Sequence, residues 1–385
     1  MTGYNLFIEL LQISVDGKAV CNSWLMNKNC TASEWNGVLE EAERQAVVGI
    51  IFCGLEKLKE NDAKCMESMP QVLMLQWIGE VMQIEQQNAI TTKACLELCK
   101  QFEKDGFKTC VLKGQANHRY YPKGIGNRRN CGDIDIWVKS SHGYVRNTLE
   151  YVDAHWERTG LCWLHCNFTE KSGVPVEVHF HPSFLSRPWI NRCFQRHFAN
   201  LEKCVESADV DGAKIPAMKV EEDVIYQMNH IFRHLIDEGV GLRQIVDYYF
   251  LLRYFNEHES PSIDMKSSIN STIEKLGMKR FASALMYVLR ELLGMPDGYL
   301  LCDASEKDGK FLMNEILMSG NFGHEDPRMA TLNANSSYMH SRTSQAWRRF
   351  KRNMRFLTSY PGEVIWEPIV RVEHFAWKSL GMWKW

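Results

Sequence analysis

Two aspartates one residue apart are the side chains in this sequence best suited to chemistry. If Gly132-Asp133-Ile134-Asp135-Ile136 is extended, Asp133 and Asp135 share one face and Ile134 and Ile136 the other, because side chains alternate along a strand. Neighbouring carboxylates repel, so such a pair needs a cation between them or must hold a proton. Further along, Val176, Val178 and Phe180 alternate with Glu177 and His179. If the two strands are neighbours, three carboxylates converge, and hard oxygen donors of that kind suit Mg²⁺ (or Mn²⁺) held together with substrate phosphates. The plainer reading is a wet sheet face showing solvated acids.

Upstream, Leu112-Lys113-Gly114-Gln115 closes a short apolar run and opens a helix over 116–121. A glycine at a strand-to-helix turn lets a phosphate approach backbone N–H groups and the positive end of the helix. Lys113 and Arg129 can add charge-assisted contacts to a triphosphate.

This order of strand, glycine turn, helix, Asp-x-Asp strand and a later strand with a third acid resembles the polymerase-β-type nucleotidyltransferase core. More narrowly, VLKGQANHRYYP, the run from Arg129 through Gly132-Asp133-Ile134-Asp135, Glu177-Val178-His179, and His230 with His234 are similar to a largely uncharacterised bacterial nucleotidyltransferase family. That family also has a helical C-terminal half and a stretch like Gly320-Asn321-Phe322-Gly323. The strong part of the resemblance covers 108–247. It implies transfer of a nucleoside monophosphate from an NTP to an acceptor, with pyrophosphate leaving. Asp133, Asp135 and Glu177 are then the metal-binding and catalytic acids, Glu177 helping to activate the acceptor hydroxyl. Lys113, Gly114, Gln115, Arg129 and Gly132 are then the nucleotide-binding residues. The superfamily's usual Gly-Ser is here Gly114-Gln115, and the gap to Asp133 is long.

Two rival readings have their own residues. His179, His181, His230 and Asp247 form a candidate zinc site for a hydrolase, with His234 one helical turn from His230. Against it, His230 and His234 sit among Met228, Ile231, Phe232 and Leu235, as core or interface histidines do. Asp247 has a local partner in Arg243 four residues before it, or it faces the cleft. The other rival is a non-catalytic module that binds a nucleotide or a partner.

The elements that must position these residues read as α+β: a helical segment over 1–100, a small mixed-sheet nucleotidyltransferase-like core over 101–200, and a helical region over 201–385. Helical spacing runs over 33–58 from a Ser33–Gly37 cap region, from Pro70 through Val81, and over 91–103. Strands are expected over 108–112, 133–138, 161–168 and 174–180, the last two joined as an antiparallel hairpin. A helix capped by Ser141 runs over 141–156. A β unit follows over 204–216, turning at Asp211-Gly212. Helices return from Val220 and over 269–293, and 304–344 reads as polar and irregular. In the basic-aromatic stretch 347–356, interleaved Arg and aromatics suit RNA or a membrane face. The favoured reading is an amphipathic helix with Trp347, Phe350, Met354 and Leu357 inward and its arginines in water.

The chain has 385 residues with 45 Lys+Arg and 47 Asp+Glu, a formal charge of −2, so no global field draws it onto nucleic acid or an anionic membrane. No apolar run approaches the ~20 residues of a membrane span. The first apolar stretch follows no Lys or Arg, unlike a secretory signal. Thirteen scattered cysteines include no C-x-x-C pair, which points to reduced thiols in a cytoplasmic protein. The expected partners are an NTP and an acceptor, a small molecule, peptide or protein in preference to RNA, with no membrane. The acceptor's identity, the base of the NTP and the oligomeric state are not encoded legibly.

Overall fold

A computed structural model of the chain describes residues 2–16, 23–139, 145–210, 212–323, 326–329 and 342–382. The first helices are α1 (Thr2–Val15), α2 (Ala32–Arg44), α3 (Val48–Glu60) and α4 (Gln71–Lys104). The helix expected over 33–58 is thus two. Ala46, with φ of 54°, takes the left-handed backbone that ends a helix. Thr31 caps α2 in a reciprocal box with Glu34. The two helices expected after Pro70 are one of 34 residues, since residues 82–90 contain neither glycine nor proline to interrupt it.

Seven strands follow: β1 (Lys108–Val111), β2 (Ile134–Lys139), β3 (Arg158–Leu161), β4 (His165–Thr169), β5 (Pro175–His179), β6 (Val205–Val210) and β7 (Ala213–Met218), in the order β3-β4-β5-β2-β1-β7-β6. The fold is α+β with a mixed sheet. β4 and β5 form the expected antiparallel hairpin. The run over 161–168 is broken at 162–164 into β3 and β4, where the Cys162 N–H donates to the His165 carbonyl at 2.9 Å. β2 and β5 are parallel neighbours, with Asp135 opposite Glu177 and Trp137 opposite His179. A helix, α5 (Val145–His155), lies between β2 and β3; its expected cap Ser141, and Asp211 of the β6–β7 turn, lie outside the described residues.

The sheet's two faces have different partners. Val111, Ile134, Ile136, Val138, Val176 and Val178 pack with Ala94, Leu98 and Phe102 of α4 and Leu149 and Val152 of α5. The opposite face, which carries Asp135, Glu177 and His179, meets the helical C-terminal part through Cys110, Leu112 and Trp137. That part comprises α6 (Pro188–His197), α7 (Leu201–Cys204), α8 (Val220–Asp237), α9 (Leu242–Glu257), α10 (Ile263–Lys275), α11 (Lys279–Leu293), α12 (Glu306–Ser319), α13 (Arg342–Phe356) and α14 (Pro361–Ser379). The region over 269–293 is split at Gly277, φ 69°. The stretch over 304–344 is not irregular throughout, for Ser305 caps α12 within it.

α13 is turned the other way from the favoured reading. Trp347, Phe350 and Met354 are about half exposed, whereas Arg352 is 7% exposed. The cause is acid beneath the helix: Glu315 and Asp326 are buried, and Arg355 lies 3.5 and 3.8 Å from them beside Arg328 at 2.6 and 2.8 Å. Two buried carboxylates draw in positive charge beyond the one guanidinium of Arg328, and that attraction offsets the exposure of three apolar side chains. Phe356, by contrast, is buried, and Leu357 packs against the core. Among the described residues no helix is long and apolar enough to cross a membrane.

The turn that leads into β2 is fixed from α3. A Cβ on Gly49 would overlap the carbonyl oxygen of Arg128, so the two backbones touch there. Gly49→Ala is expected to destabilise the chain by about 1–3 kcal/mol through overpacking, seen as a lower urea midpoint with an unchanged m-value.

Candidate active site

Alternation along β2 and β5, with their parallel register, brings Asp135 and Glu177 side by side. Asn167, opposite Glu177 on β4, donates to its Oε1 at 3.2 Å. Lys113, two residues beyond β1, approaches Asp135 Oδ2 at 3.0 Å, and His179 Nε2 lies 3.0 Å from Asp135 Oδ1 and 3.4 Å from Glu177 Oε2. Donor atoms of Asp135, Glu177 and His179 fall within 4.8 Å of one another. Asp133, Asp135, Lys113 and Gly114 line one cavity with Gln227, His230 and Ile231 of α8 and Arg243, Gln244 and Asp247 of α9.

The electrostatics follow from burial offset by opposite charge. Burial pushes the Asp135 carboxyl up, but Lys113 and His179 hold it below the usual range. Burial also pushes Glu177 up, and His179 and His165 hold it down. Burial lowers His179, yet its hydrogen bonds to both carboxylates raise it to about 9. Loss of hydration at half-buried His230, with Lys113 nearby, pushes it well below the ordinary imidazole range. The oxygen donors of Asp135 and Glu177 suit a hard divalent cation, whereas Asp133, just before β2, lines the cavity without joining the donors gathered with them. His179 and Lys113 supply positive charge at the same oxygens.

The remaining sequence-derived residues divide. Gly114, φ 62°, makes the turn after Lys113, where the chain enters a 3-10 helix, Gly114–Tyr120, rather than an α-helix. Gln115 is buried and Gly132 exposed. Arg129 is not free for a triphosphate: its guanidinium grips Asp247 through two bonds of 2.6 and 2.7 Å. Asp247 therefore pairs with Arg129, and accepts from Tyr121 at 2.6 Å, instead of pairing with Arg243. Arg128 is held by Glu56 and Glu85.

The zinc set is not gathered. His181 stacks on Trp163 with centroids 4.5 Å apart, and His234 pairs with Glu238 at 3.1 Å, while His230 lines the cavity without joining the carboxylate cluster.

Sequence reasoning missed Asn117, Gln227, Gln244 and Phe322, which share the cavity, and gave Arg243 only a local partner. Gln227 Nε2 donates to Asn117 Oδ1 at 2.8 Å across 110 positions. The spacing of Gln227 from His230, nearly one turn of α8, was the only local signal that it shares their face.

A family model described as "Uncharacterised nucleotidyltransferase" matches residues 31–294. Among solved structures the chain is similar to an antigenic nucleotidyltransferase-like protein from Paracoccidioides brasiliensis. The identity is 14% and the TM-score 0.30, over 48% of this chain and 88% of that one. No curated protein matches.

The buried pair of Arg129 and Asp247 generates a stability prediction. Asp247→Leu alone is expected to cost about 3–5 kcal/mol, because it strands a buried guanidinium. The double variant with Arg129→Met should cost less than the two single losses added together, as measured by urea unfolding. Burial pushes the Asp247 carboxyl up, but Arg129 overrides this and depresses it. Its contribution is therefore present above the unfolded value of about 3.9 and lost as pH falls through the depressed folded value. Asp247→Leu should accordingly flatten the acid side of the stability profile.

Proposed function

The chain belongs to the family of uncharacterised nucleotidyltransferases, and from that premise we propose that it transfers a nucleoside monophosphate from an NTP to an acceptor hydroxyl, with Mg²⁺ (or Mn²⁺) bound and pyrophosphate released. The observation that carries this reading is the pairing of Asp135 with Glu177 across parallel neighbouring strands, with Asp135 lining one cavity together with the Lys113-Gly114 turn.

Asp133, Asp135 and Glu177 are the residues to hold the metal. Once bound, it neutralises charge on the phosphate oxygens and the leaving pyrophosphate. The chain's own residues do the positioning on which phosphoryl-type transfer chiefly depends. Gly114 has no side chain to keep a phosphate from the backbone of the turn, and Lys113 keeps an ammonium at Asp135. The acceptor oxygen forms a bond to the α-phosphorus as the bond from that phosphorus to the bridging oxygen breaks. The acceptor's proton passes to a carboxylate of the cluster, for which Glu177, 24% exposed at its side chain, is the accessible choice. With a net charge of −2 the chain has no general attraction for RNA, which favours a small-molecule, peptide or protein acceptor.

The test supplies each of the four α-³²P-labelled NTPs with Mg²⁺ to the full chain, together with the small-molecule and protein fractions of a cell extract. Metal-dependent label transfer is expected. Asp133→Asn, Asp135→Asn and Glu177→Gln should each lower it by about 10²–10⁴-fold, the usual worth of a positioned acid or base. Transfer undiminished in all three variants would contradict the reading.

A further inference from the structure

The cations of the cavity are not equivalent. Lys113 is held at Asp135 and Arg129 at Asp247. Arg243, in the first turn of α9, has no carboxylate within ion-pair distance among the described residues. Its Nη1 donates to the carbonyl of Asn130 at 3.3 Å, its guanidinium lies over the Phe322 ring at 5.3 Å from the centroid, and its Nε has no protein partner. A carbonyl and a ring face orient the fork without neutralising it.

Its surroundings are built from polar groups and bare backbone. A Cβ on Gly132 would come 3.7 Å from Arg243 Nη1, so the bare backbone before Asp133 leaves space beside the fork. Gln244, the next residue of α9, is 6% exposed and lines the same cavity, with an Oε1 that meets no donor. The Phe322 turn is seated closely. Cβ atoms on Gly239 and Gly241 would lie 3.0 Å from Gly323 N and Asn321 Cα. Burial and the nearby Arg129 lower the Arg243 guanidinium to about 10, so an anion arriving there relieves an unfavourable charge.

We propose that Arg243, rather than Arg129, is the side chain that binds the phosphate chain of a nucleoside triphosphate in this cavity. The inference rests on the nucleotidyl-transfer reading and assigns the anion-binding position within it. A planar fork with a free edge suits the paired oxygens of a phosphate.

The experiment is calorimetric binding of inorganic tripolyphosphate, and of ATP, GTP, CTP and UTP, to the full chain with Mg²⁺. It compares wild type with Arg243→Gln and Arg243→Lys. Glutamine retains an N–H for the Asn130 carbonyl while removing the charge, and thermal melts confirm that both variants fold. Arg243→Gln should weaken tripolyphosphate and the preferred NTP by about ten- to a hundred-fold, the scale of a charge-assisted contact, and Arg243→Lys should fall between it and wild type. Wild-type affinity in a folded Arg243→Gln overturns the assignment while leaving the nucleotidyl-transfer reading intact. Absence of tripolyphosphate and NTP binding in wild type overturns both.

Discussion

Asp135 and Glu177 lie opposite each other on neighbouring parallel strands, and two acids so placed ionise together only where positive charge is supplied. Much of the surrounding structure answers that demand. The turn after β1 aims Lys113 at Asp135, β5 adds His179 between the two carboxylates, and β4 adds the Asn167 amide and His165. The apolar residues alternating with the acids fasten the other face of the sheet to α4 and α5. The charged face is thereby left to the helices of the C-terminal part, where a cavity forms over it.

The cavity's far wall is set by buried interactions between segments distant in sequence. The Arg129–Asp247 pair ties the loop before β2 to α9. Gln45, placed by the break between α2 and α3, accepts from the Leu242 N–H at the start of α9 at 3.0 Å. α9 is thus held at its first turn and again about one and a half turns later. That anchoring presents Arg243 and Gln244 to the cavity. A buried ion pair of this kind contributes modestly to net stability, but breaking it is costly, so it serves to fix geometry.

Alternation made the carboxylates legible from sequence. Ile134 and Ile136 against Asp135, and Val176 and Val178 against Glu177 and His179, show which side chains share a face, whereas Asp133 falls just outside β2. That β2 and β5 are neighbours was implied by the resemblance to the family rather than by local pattern. Contacts across long separations were illegible: nothing near Arg129 announces Asp247, 118 positions away, and Arg243 was the plausible local partner. Two helical expectations differ from the structure for different reasons, one local and one long-range. α4 runs on because 82–90 contain no breaker. α13 exposes Trp347 and Phe350 because Glu315 and Asp326, remote in sequence, draw its arginines inward. Periodicity reports which residues share a helix face, but it does not report which face finds buried charge.

In the proposed reaction the Asp135–Glu177 cluster would hold a divalent cation at the nucleotide's phosphates. Electron paramagnetic resonance of Mn²⁺ added to the full chain with an NTP, followed by phosphorus electron–nuclear double resonance, addresses this directly. A protein-bound Mn²⁺ signal with phosphorus hyperfine coupling is expected, with the loss of both in Asp135→Asn. A folded wild-type chain that leaves Mn²⁺ free in solution, or binds it with no phosphorus coupling in the presence of every NTP, would contradict it.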